Sequence, residues 1–343
     1  MKKISLILLL LNIFILTSCY DYTEINFYYY ASSMGIDYKD NEFTVYLYIL
    51  NNLNVTNVEN SSSNEQLAYV ASYKADTIGN ALHIIYENSD IHIDLHHLRS
   101  VILTENFFNK QNLESFYYLI MNDIHFYFNF AVYVTNQDIK KIYEVNNFSE
   151  TSAYSTLLTN TMNYSDYEIA YFPYLINDFL LKEYTNRYPY LVFYDDVFEK
   201  TDEKYTTICF NGYGAINEEY KLYIYNVNDY PGVLYLNNRK NFHISLKTNN
   251  RISYNIAKYL FNIKIKDAYC IITIDLYGTS TSNNPDETFL LQEEIKHEIL
   301  KLYFSAKKDY VDILNINHLA KNKKSSLTYQ TANIIFDFNI KIN

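Results

Sequence analysis

The stretch His92-Ile93-Asp94-Leu95-His96-His97 could bind a metal ion, because imidazole and carboxylate groups are ordinary zinc ligands. If this stretch is extended, His96 and His97 point to opposite faces of the strand and cannot share one ion. A solvated or hydrogen-bonded set of histidines is the competing interpretation. We adopt that second interpretation and predict no metal site.

Adjacent carboxylates could suggest general acid–base catalysis at Asp195-Asp196, Glu218-Glu219 and Glu293-Glu294. Neighbouring side chains diverge on a strand and lie about 100° apart on a helix, which favours surface charges. Gly212-Tyr213-Gly214 resembles a dinucleotide fingerprint, but Asn217 stands where that fingerprint needs Gly, so we interpret it as a strand turn. The chain contains no G-x-S-x-G, P-loop or His-Glu-x-x-His sequence. We predict no catalytic residues, no cofactor and no enzymatic activity; a surface hydrolase is the weakest alternative.

The most specific chemistry lies at Cys19. Lys2 and Lys3 precede an apolar run over 4–16, and the tetrad Leu16-Thr17-Ser18-Cys19 follows. The run is shorter than the ~20 apolar residues of a transmembrane helix and fits the core of a signal peptide. The tetrad resembles a bacterial lipobox, in which the Cys thiol takes a diacylglycerol and the signal is cut before it. We predict a lipoprotein signal peptide over 1–18 and a lipidated Cys19, with an ordinary cleaved signal as the alternative.

Lipidation would hold a water-soluble body at the extracytoplasmic face of a bilayer, since two or more acyl chains, such as diacylglycerol with palmitate, bind durably. Cys209 and Cys270 lie in apolar stretches typical of strands. We favour two buried thiols there. A disulfide between them is the alternative, because an exported protein is permitted one.

Length and charge limit the class of protein. A chain of 343 residues predicts two or three domains. Lys plus Arg number 28 against 39 Asp plus Glu, and the net charge of -11 repels phosphate backbones and excludes a nucleic-acid partner. The 39 Tyr and the absence of Trp indicate an A/T-rich coding bias. An aromatic surface for sugars or bases is the alternative.

Alternating strand and helix patterns predict a mixed α/β fold and an N-terminal domain over 19–149. A hairpin is expected over 25–34 and 42–50, followed by a loop over 51–65. Asp76 is the expected cap of the first helix. The remaining predicted elements are helices over 76–88, 113–121 and 137–145 and strands over 100–104 and 126–134.

Two further domains are predicted, a middle domain over 150–240 and a C-terminal domain over 241–343. The middle domain has helical patterns at 153–158 and 174–181 and strand patterns at 205–210, 220–225 and 233–236. In the C-terminal domain a long helix over 286–308 begins behind Asn284 and Pro285. Apolar alternation over 332–342 predicts a terminal strand that packs on that helix.

Several blocks of the chain, taken in order, carry a resemblance to a known family. The blocks are Cys19-Tyr20-Asp21-Tyr22-Thr23-Glu24-Ile25-Asn26, Gly35-Ile36-Asp37, His97-Leu98-Arg99-Ser100-Val101-Ile102-Leu103-Thr104-Glu105, Asn122-Asp123-Ile124, Pro231-Gly232-Val233-Leu234 and the helix over 291–312. They resemble the Ger(x)C lipoproteins, the C subunits of spore germinant receptors in endospore-forming Firmicutes. This chain departs from the family pattern in three places: Tyr20 replaces a Trp, Thr104 replaces a Gly and Asn122 replaces an Arg.

The resemblance implies a non-enzymatic, lipid-anchored protein of three small mixed α/β domains on the outer face of the spore inner membrane. Its partners would be two integral membrane subunits, of the A type and the B type. Its role would be assembly or signal relay during nutrient-triggered germination. The alternative is a solute-binding lipoprotein that delivers a small molecule to a transporter, which predicts a cleft between domains.

Overall fold

The structure is a computed structural model. It describes residues 28–50, 68–122, 126–145, 170–181, 187–200, 203–236, 242–245, 253–266, 269–280, 285–323 and 325–342. The predicted loop over 51–65 and the predicted helix over 153–158 lie outside these residues. Strands and helices alternate along the chain, so the mixed α/β fold class is confirmed.

Within the described residues, a large sheet holds nine strands in the order β3-β2-β1-β5-β6-β7-β8-β9, and β4 pairs with β1 beside this path. β1, β5, β6 and β7 run parallel to one another, whereas β2, β3, β8 and β9 pair antiparallel with their neighbours. The strands are β1 (Tyr28–Lys39), β2 (Glu42–Leu50), β3 (Ala68–Ala75), β4 (His92–Asp94), β5 (Ser100–Thr104), β6 (Ala131–Thr135), β7 (Arg187–Lys200), β8 (Glu203–Ile216) and β9 (Leu222–Asn226).

The predicted hairpin is confirmed in β1 and β2, which turn at Asp40 and Asn41 with φ of 56° and 62°. Asp and Asn tolerate this left-handed backbone better than other side chains do. Within the described residues, the helices predicted in this part of the chain are present and pack on the sheet. β6 is shorter than the strand predicted there. The helices of this part are α1 (Ile78–Glu87), α2 (Lys110–Asn122), α3 (Ile139–Glu144) and α4 (Phe172–Leu181).

The cap of α1 differs from the prediction. Thr77, and not Asp76, occupies the cap position, and its hydroxyl accepts a hydrogen bond from the Asn80 amide at 3.1 Å. Asp76 accepts instead from the side-chain amide of Asn80 at 2.8 Å. Both residues therefore stabilise the first turn, but only Thr77 satisfies a backbone N–H group of the helix.

β6 and β7 are neighbours in the sheet, so the sheet continues across the predicted boundary at 149/150. The predicted boundaries at 149/150 and 240/241 stay predictions. The predicted turn at Gly212-Tyr213-Gly214 is wrong, because these residues lie inside β8, beside a register irregularity opposite β7. Gly212 has a φ of 117°, and a Cβ atom there would lie 2.1 Å from the Tyr225 carbonyl oxygen, so the position requires Gly.

A second sheet holds β10 (Phe242–Ser245), β11 (Ser253–Lys266), β12 (Tyr269–Ser280) and β13 (Asn333–Ile342), in that order. The helices α5 (Pro285–Lys308) and α6 (Ile316–Asn322) lie between β12 and β13 in the chain. α5 confirms the predicted long helix, and β13 confirms the predicted terminal strand, which contacts α5. The predicted strand over 233–236 is wrong, because Pro231–Tyr235 forms a 3-10 helix that packs on α5.

The described residues form three apolar clusters, of which the smallest lies between α3 and the large sheet and includes Ile102, Tyr133 and Ile142. The other two are larger. One is built by β1 to β7 with the helices α1, α2 and α4. The other joins Tyr213, Ala215 and Tyr225 of the large sheet to the second sheet and α5. Because β8 and β9 contribute side chains to this second core, apolar packing connects the two sheets.

Candidate functional site

The parallel strands β1 and β5 are joined by polar side chains as well as by their backbones. The Thr104 hydroxyl donates to Asp37 Oδ1 at 2.6 Å. Nearer the start of the strands, the Ser100 hydroxyl lies 2.8 Å from the Ser33 hydroxyl, which also lies 2.8 Å from the Tyr143 hydroxyl of α3. Both serines are buried, and a buried hydroxyl without a hydrogen-bond partner would lower the stability of the fold.

A third side-chain contact joins the same two segments of the chain. The rings of Tyr30 and His97 meet edge to face at a centroid distance of 4.7 Å. Each of the three pairs joins residues that are 67 positions apart in the chain. Between them, Gly35 packs so closely on α3 that a Cβ atom would lie 2.4 Å from the Ile139 side chain. The residues of two resembling blocks, 35–37 and 97–105, therefore meet along one strand pair.

A polar cleft of about 440 Å³ opens at the carboxyl ends of β1, β5 and β6. Asp37, Glu105 and Asp138 contribute carboxylates to its wall. The carboxyl ends of parallel strands are where α/β sheets usually bind their ligands and partners. In this cleft Asp138 also caps α3 by accepting from the Lys140 amide at 2.9 Å. The cleft can thus attract a basic group from outside the chain.

The other side of this cleft is held by β7. The Tyr190 hydroxyl donates to Asn136 Oδ1 at 2.6 Å, and the Phe193 amide donates to Gln137 Oε1 at 2.6 Å. Both acceptors lie in the turn after β6. The turn that supplies Asn136 and Gln137 to the cleft wall is therefore anchored to β7.

A comparison with known families matches the region of the chain that contains these strands. The family model described as "Spore germination protein N-terminal domain" matches residues 21–193, which covers half of the chain and includes β1 to β6 and the start of β7. The chain belongs to this family. The resemblance to the C subunits of spore germinant receptors is thereby confirmed. The chain shares its family with receptor subunits that are generally not enzymes and are associated with the spore inner membrane.

The search of curated proteins found no match to this chain. A solved structure described as "Crystal Structure of the GerBC protein" is 9% identical, with a TM-score of 0.46. That match covers 94% of this chain and 99% of the other.

The predicted lipidation site lies outside the described residues. Leu16, Thr17, Ser18 and Cys19 all precede Tyr28, at which β1 begins. Lipidation of Cys19 stays a prediction. In the part of the chain that the structure describes, no helix has the length and apolar character required to cross a bilayer.

The three histidines at 92–97 have separate surroundings. His92 meets the Tyr28 ring edge to face, and His96 Nδ1 lies 2.6 Å from Asp94 Oδ1. His97 contacts Tyr30 as described above. Across the described ranges, no group of three or more His, Cys, Asp or Glu side chains could hold a metal ion.

Both described cysteines are free thiols, Cys209 in the large sheet and Cys270 in the second sheet. Burial raises the pKa of each thiol to about 11. A thiol with so high a pKa is almost wholly protonated at neutral pH, and the thiolate is the nucleophile. Neither side chain is suited to covalent catalysis.

The sequence did not indicate the contact between the two sheets, which centres on Arg187 at the start of β7. Arg187 Nη1 donates to the Leu236 carbonyl oxygen at 3.2 Å, and its guanidinium lies 5.5 Å from the centre of the Tyr213 ring. The Tyr259 hydroxyl of β11 donates to the Tyr235 carbonyl oxygen. These contacts link the large sheet, the 3-10 helix and the second sheet.

One face of α5 binds the same region through side chains spaced four residues apart. Lys301 Nζ donates to the Asp229 carbonyl oxygen at 2.8 Å, and the Ser305 hydroxyl donates to the Tyr230 hydroxyl at 3.0 Å. Asp309, just after α5, accepts from the Tyr225 hydroxyl at 3.1 Å. We call the contacts of Arg187, Lys301, Ser305 and Asp309 the inter-sheet joint.

Asp312 lies beneath this joint and is buried. Its two carboxylate oxygens accept from the Ile316 amide at 2.9 Å and from the Asn317 amide at 2.6 Å, at the start of α6. Burial raises the pKa of Asp312 to about 6, although these amides and the charge of Arg187 act in the opposite direction. The carboxylate is therefore a structural cap in an apolar environment.

Proposed function

We propose that this protein is a lipid-anchored, non-enzymatic subunit that assembles with two membrane subunits of the germinant receptor and relays their nutrient signal. The observation that carries the proposal is the family match over 21–193. The close pairing of 35–37 with 97–105 adds support, because residues that carry the family resemblance occupy the strands beneath the polar cleft.

In this proposal Cys19 carries the lipid, which holds the folded part beside the outer loops of its partners. A tether raises the effective concentration of the two surfaces, so weak contacts are sufficient for assembly. Only eight residues separate Cys19 from Tyr28, a span of at most ~30 Å. The folded part would thus remain close to the membrane surface.

The lipid anchor is tested with paired cysteine substitutions in the sporulating host. Cys19→Ala is expected to release the protein from the membrane fraction and to abolish nutrient-triggered germination. Cys209→Ala is the matched control, since it removes a thiol within the fold and should leave both properties unchanged. Normal germination with a soluble Cys19→Ala protein would contradict the proposal.

We further propose that the polar cleft contacts a basic outer loop of a membrane partner. Glu105 is exposed at this cleft, near the middle of the sheet, whereas Glu218 is exposed in the turn between β8 and β9, near the β9 edge. Glu105→Lys should reduce co-purification with the membrane subunits and slow germination, because it places a like charge opposite the loop. Glu218→Lys should do neither. Equal effects of the two reversals would refute this surface.

A further inference from the structure

A cleft of about 700 Å³ lies between α1 and the sheet, at the end where β1 begins. Three tyrosines line it, Tyr29 from β1 and Tyr69 and Tyr73 from β3. The volume falls within the range of small-molecule sites. This cleft lies within the N-terminal part of the chain and is distinct from the polar cleft at the carboxyl ends of the strands.

The cleft arises because α1 covers only part of its sheet. Ile85, near the end of α1, and Ile49 of β2 form apolar walls, while Tyr69 pairs with Ile49 across the strands. The Tyr69 and Tyr73 side chains remain 42% and 45% exposed. The Tyr29 and Tyr69 rings lie 6.2 Å apart, centre to centre, and are inclined at 49°. Aromatic surface is therefore presented to solvent within a concave site.

The electrostatic character of the cleft is negative. Asp90 is exposed at its rim and is the charged residue among the described side chains that line it. The carboxyl end of α1 also faces this region, with Asn88 at the helix cap and in the cleft wall. A helix carries partial negative charge at this end. Burial raises the pKa of Tyr29, and the charge of Asp90 raises it further, which indicates that the field of Asp90 reaches the tyrosine.

We propose that this cleft binds a small organic cation, an ammonium group joined to an apolar or aromatic body. The ammonium would lie between Asp90 and the tyrosine faces, because a cation is attracted both to a carboxylate and to the π face of an aromatic ring. The apolar body would contact Ile49 and Ile85. This inference goes beyond the proposed function and does not depend on it.

The test is isothermal titration of the purified full chain with three ligands of similar shape: phenethylammonium, phenethyl alcohol and phenylacetate. We expect phenethylammonium to bind and the neutral and anionic compounds to bind at least about tenfold more weakly. Asp90→Asn, which keeps the shape of the side chain, should weaken phenethylammonium about tenfold. Glu218→Gln, the same kind of change near the opposite edge of the sheet, should leave the affinity unchanged.

A second pair of variants tests the tyrosines. Tyr69→Phe should retain most of the affinity, and Tyr69→Ala should weaken binding about fivefold, because only the latter removes the ring. Circular dichroism of each variant verifies that the fold is intact. The inference is overturned if phenethylammonium does not bind at millimolar concentration, if the alcohol binds equally well, or if Asp90→Asn binds like the wild type.

Discussion

A Cβ atom placed on Gly232 would lie 2.4 Å from the carbonyl oxygen of Glu298. The 3-10 helix that follows β9 thus approaches the backbone of α5 at a distance that only Gly allows. The Pro231-Gly232 block and the long helix, two of the segments on which the resemblance was based, are therefore in direct contact.

Gly232→Ala is expected to lower the free energy of unfolding by about 1–3 kcal/mol, because the methyl group meets backbone that cannot rotate away. Gly79→Ala is the matched control. Nothing lies within 4 Å of its Cβ position, and it occupies the first turn of α1. That change should leave stability unchanged or raise it by up to about 1 kcal/mol. Urea unfolding followed by circular dichroism measures both values, and equal effects would contradict the contact.

The hydrogen bond from Thr104 to Asp37 should contribute measurably to stability. Thr104→Val keeps the shape of the side chain and removes the donor, so we expect a loss of about 1–2 kcal/mol. Thr104→Ser retains the hydroxyl and should lose less. Asp37→Ala removes the acceptor, and this variant, Thr104→Val and the double variant form a double-mutant cycle that isolates the energy of the pair. A coupling energy near zero would show that water replaces the hydroxyl without cost.

Asp312 should make stability depend on pH in a direction opposite to that of an ordinary ion-paired carboxylate. Its pKa is about 6 in the folded chain against an ordinary value of 3.8, so the folded state binds more protons between these values. Its contribution to the free energy of unfolding is therefore complete at low pH and declines as pH rises from about 4 to 6.

Asp312→Asn, which does not titrate, should consequently be most destabilising near pH 4 and less so near pH 7. The expected change in the difference from wild type is on the order of 1 to 3 kcal/mol. Urea unfolding at several pH values provides the measurement. Asp309→Asn, the same substitution at a nearby position, is the control. A constant difference between wild type and Asp312→Asn across this range would show that burial does not raise the pKa of this carboxyl.

Arg187 should hold the two sheets together by geometry as well as by charge. Arg187→Met keeps the length of the side chain but removes the donor to Leu236 and the cation over Tyr213. We expect a loss of about 1–3 kcal/mol. Arg187→Lys should recover only part of this loss, because an ammonium group lacks the planar fork that makes both contacts. Full recovery of stability in Arg187→Lys would show that the positive charge alone accounts for the contribution of Arg187.

Much of the fold could be predicted because it depends on local patterns. The alternation of apolar residues in 332–342 indicated β13, and the cap sequence before 286 indicated α5. The 3-10 helix at Pro231–Tyr235 was mistaken for a strand because its apolar side chains resemble one. This segment packs closely on the distant backbone of Glu298, a contact that no local pattern contains.

The candidate sites likewise combine residues that a local pattern indicates with contacts between distant parts of the chain that no local pattern contains. Asp37 and Glu105 were noted separately within the resembling blocks, but the polar cleft depends on the register of two strands 67 residues apart in the chain. Arg187 gave no sequence signal, since it is a single cation in an irregular stretch. The tyrosines of the second cleft were discounted because Tyr is abundant throughout the chain.

The hydroxyl of Thr104 stands where the family pattern has Gly. A relative with Gly at this position has no side-chain donor for the carboxylate that corresponds to Asp37, which leaves that charge available to water or to a cationic neighbour. In the present chain the same carboxylate is already engaged from within. At the contact proposed for the polar cleft, a basic group of a partner would share this carboxylate with Thr104 in the present chain, whereas in a relative with Gly it would bind the carboxylate alone.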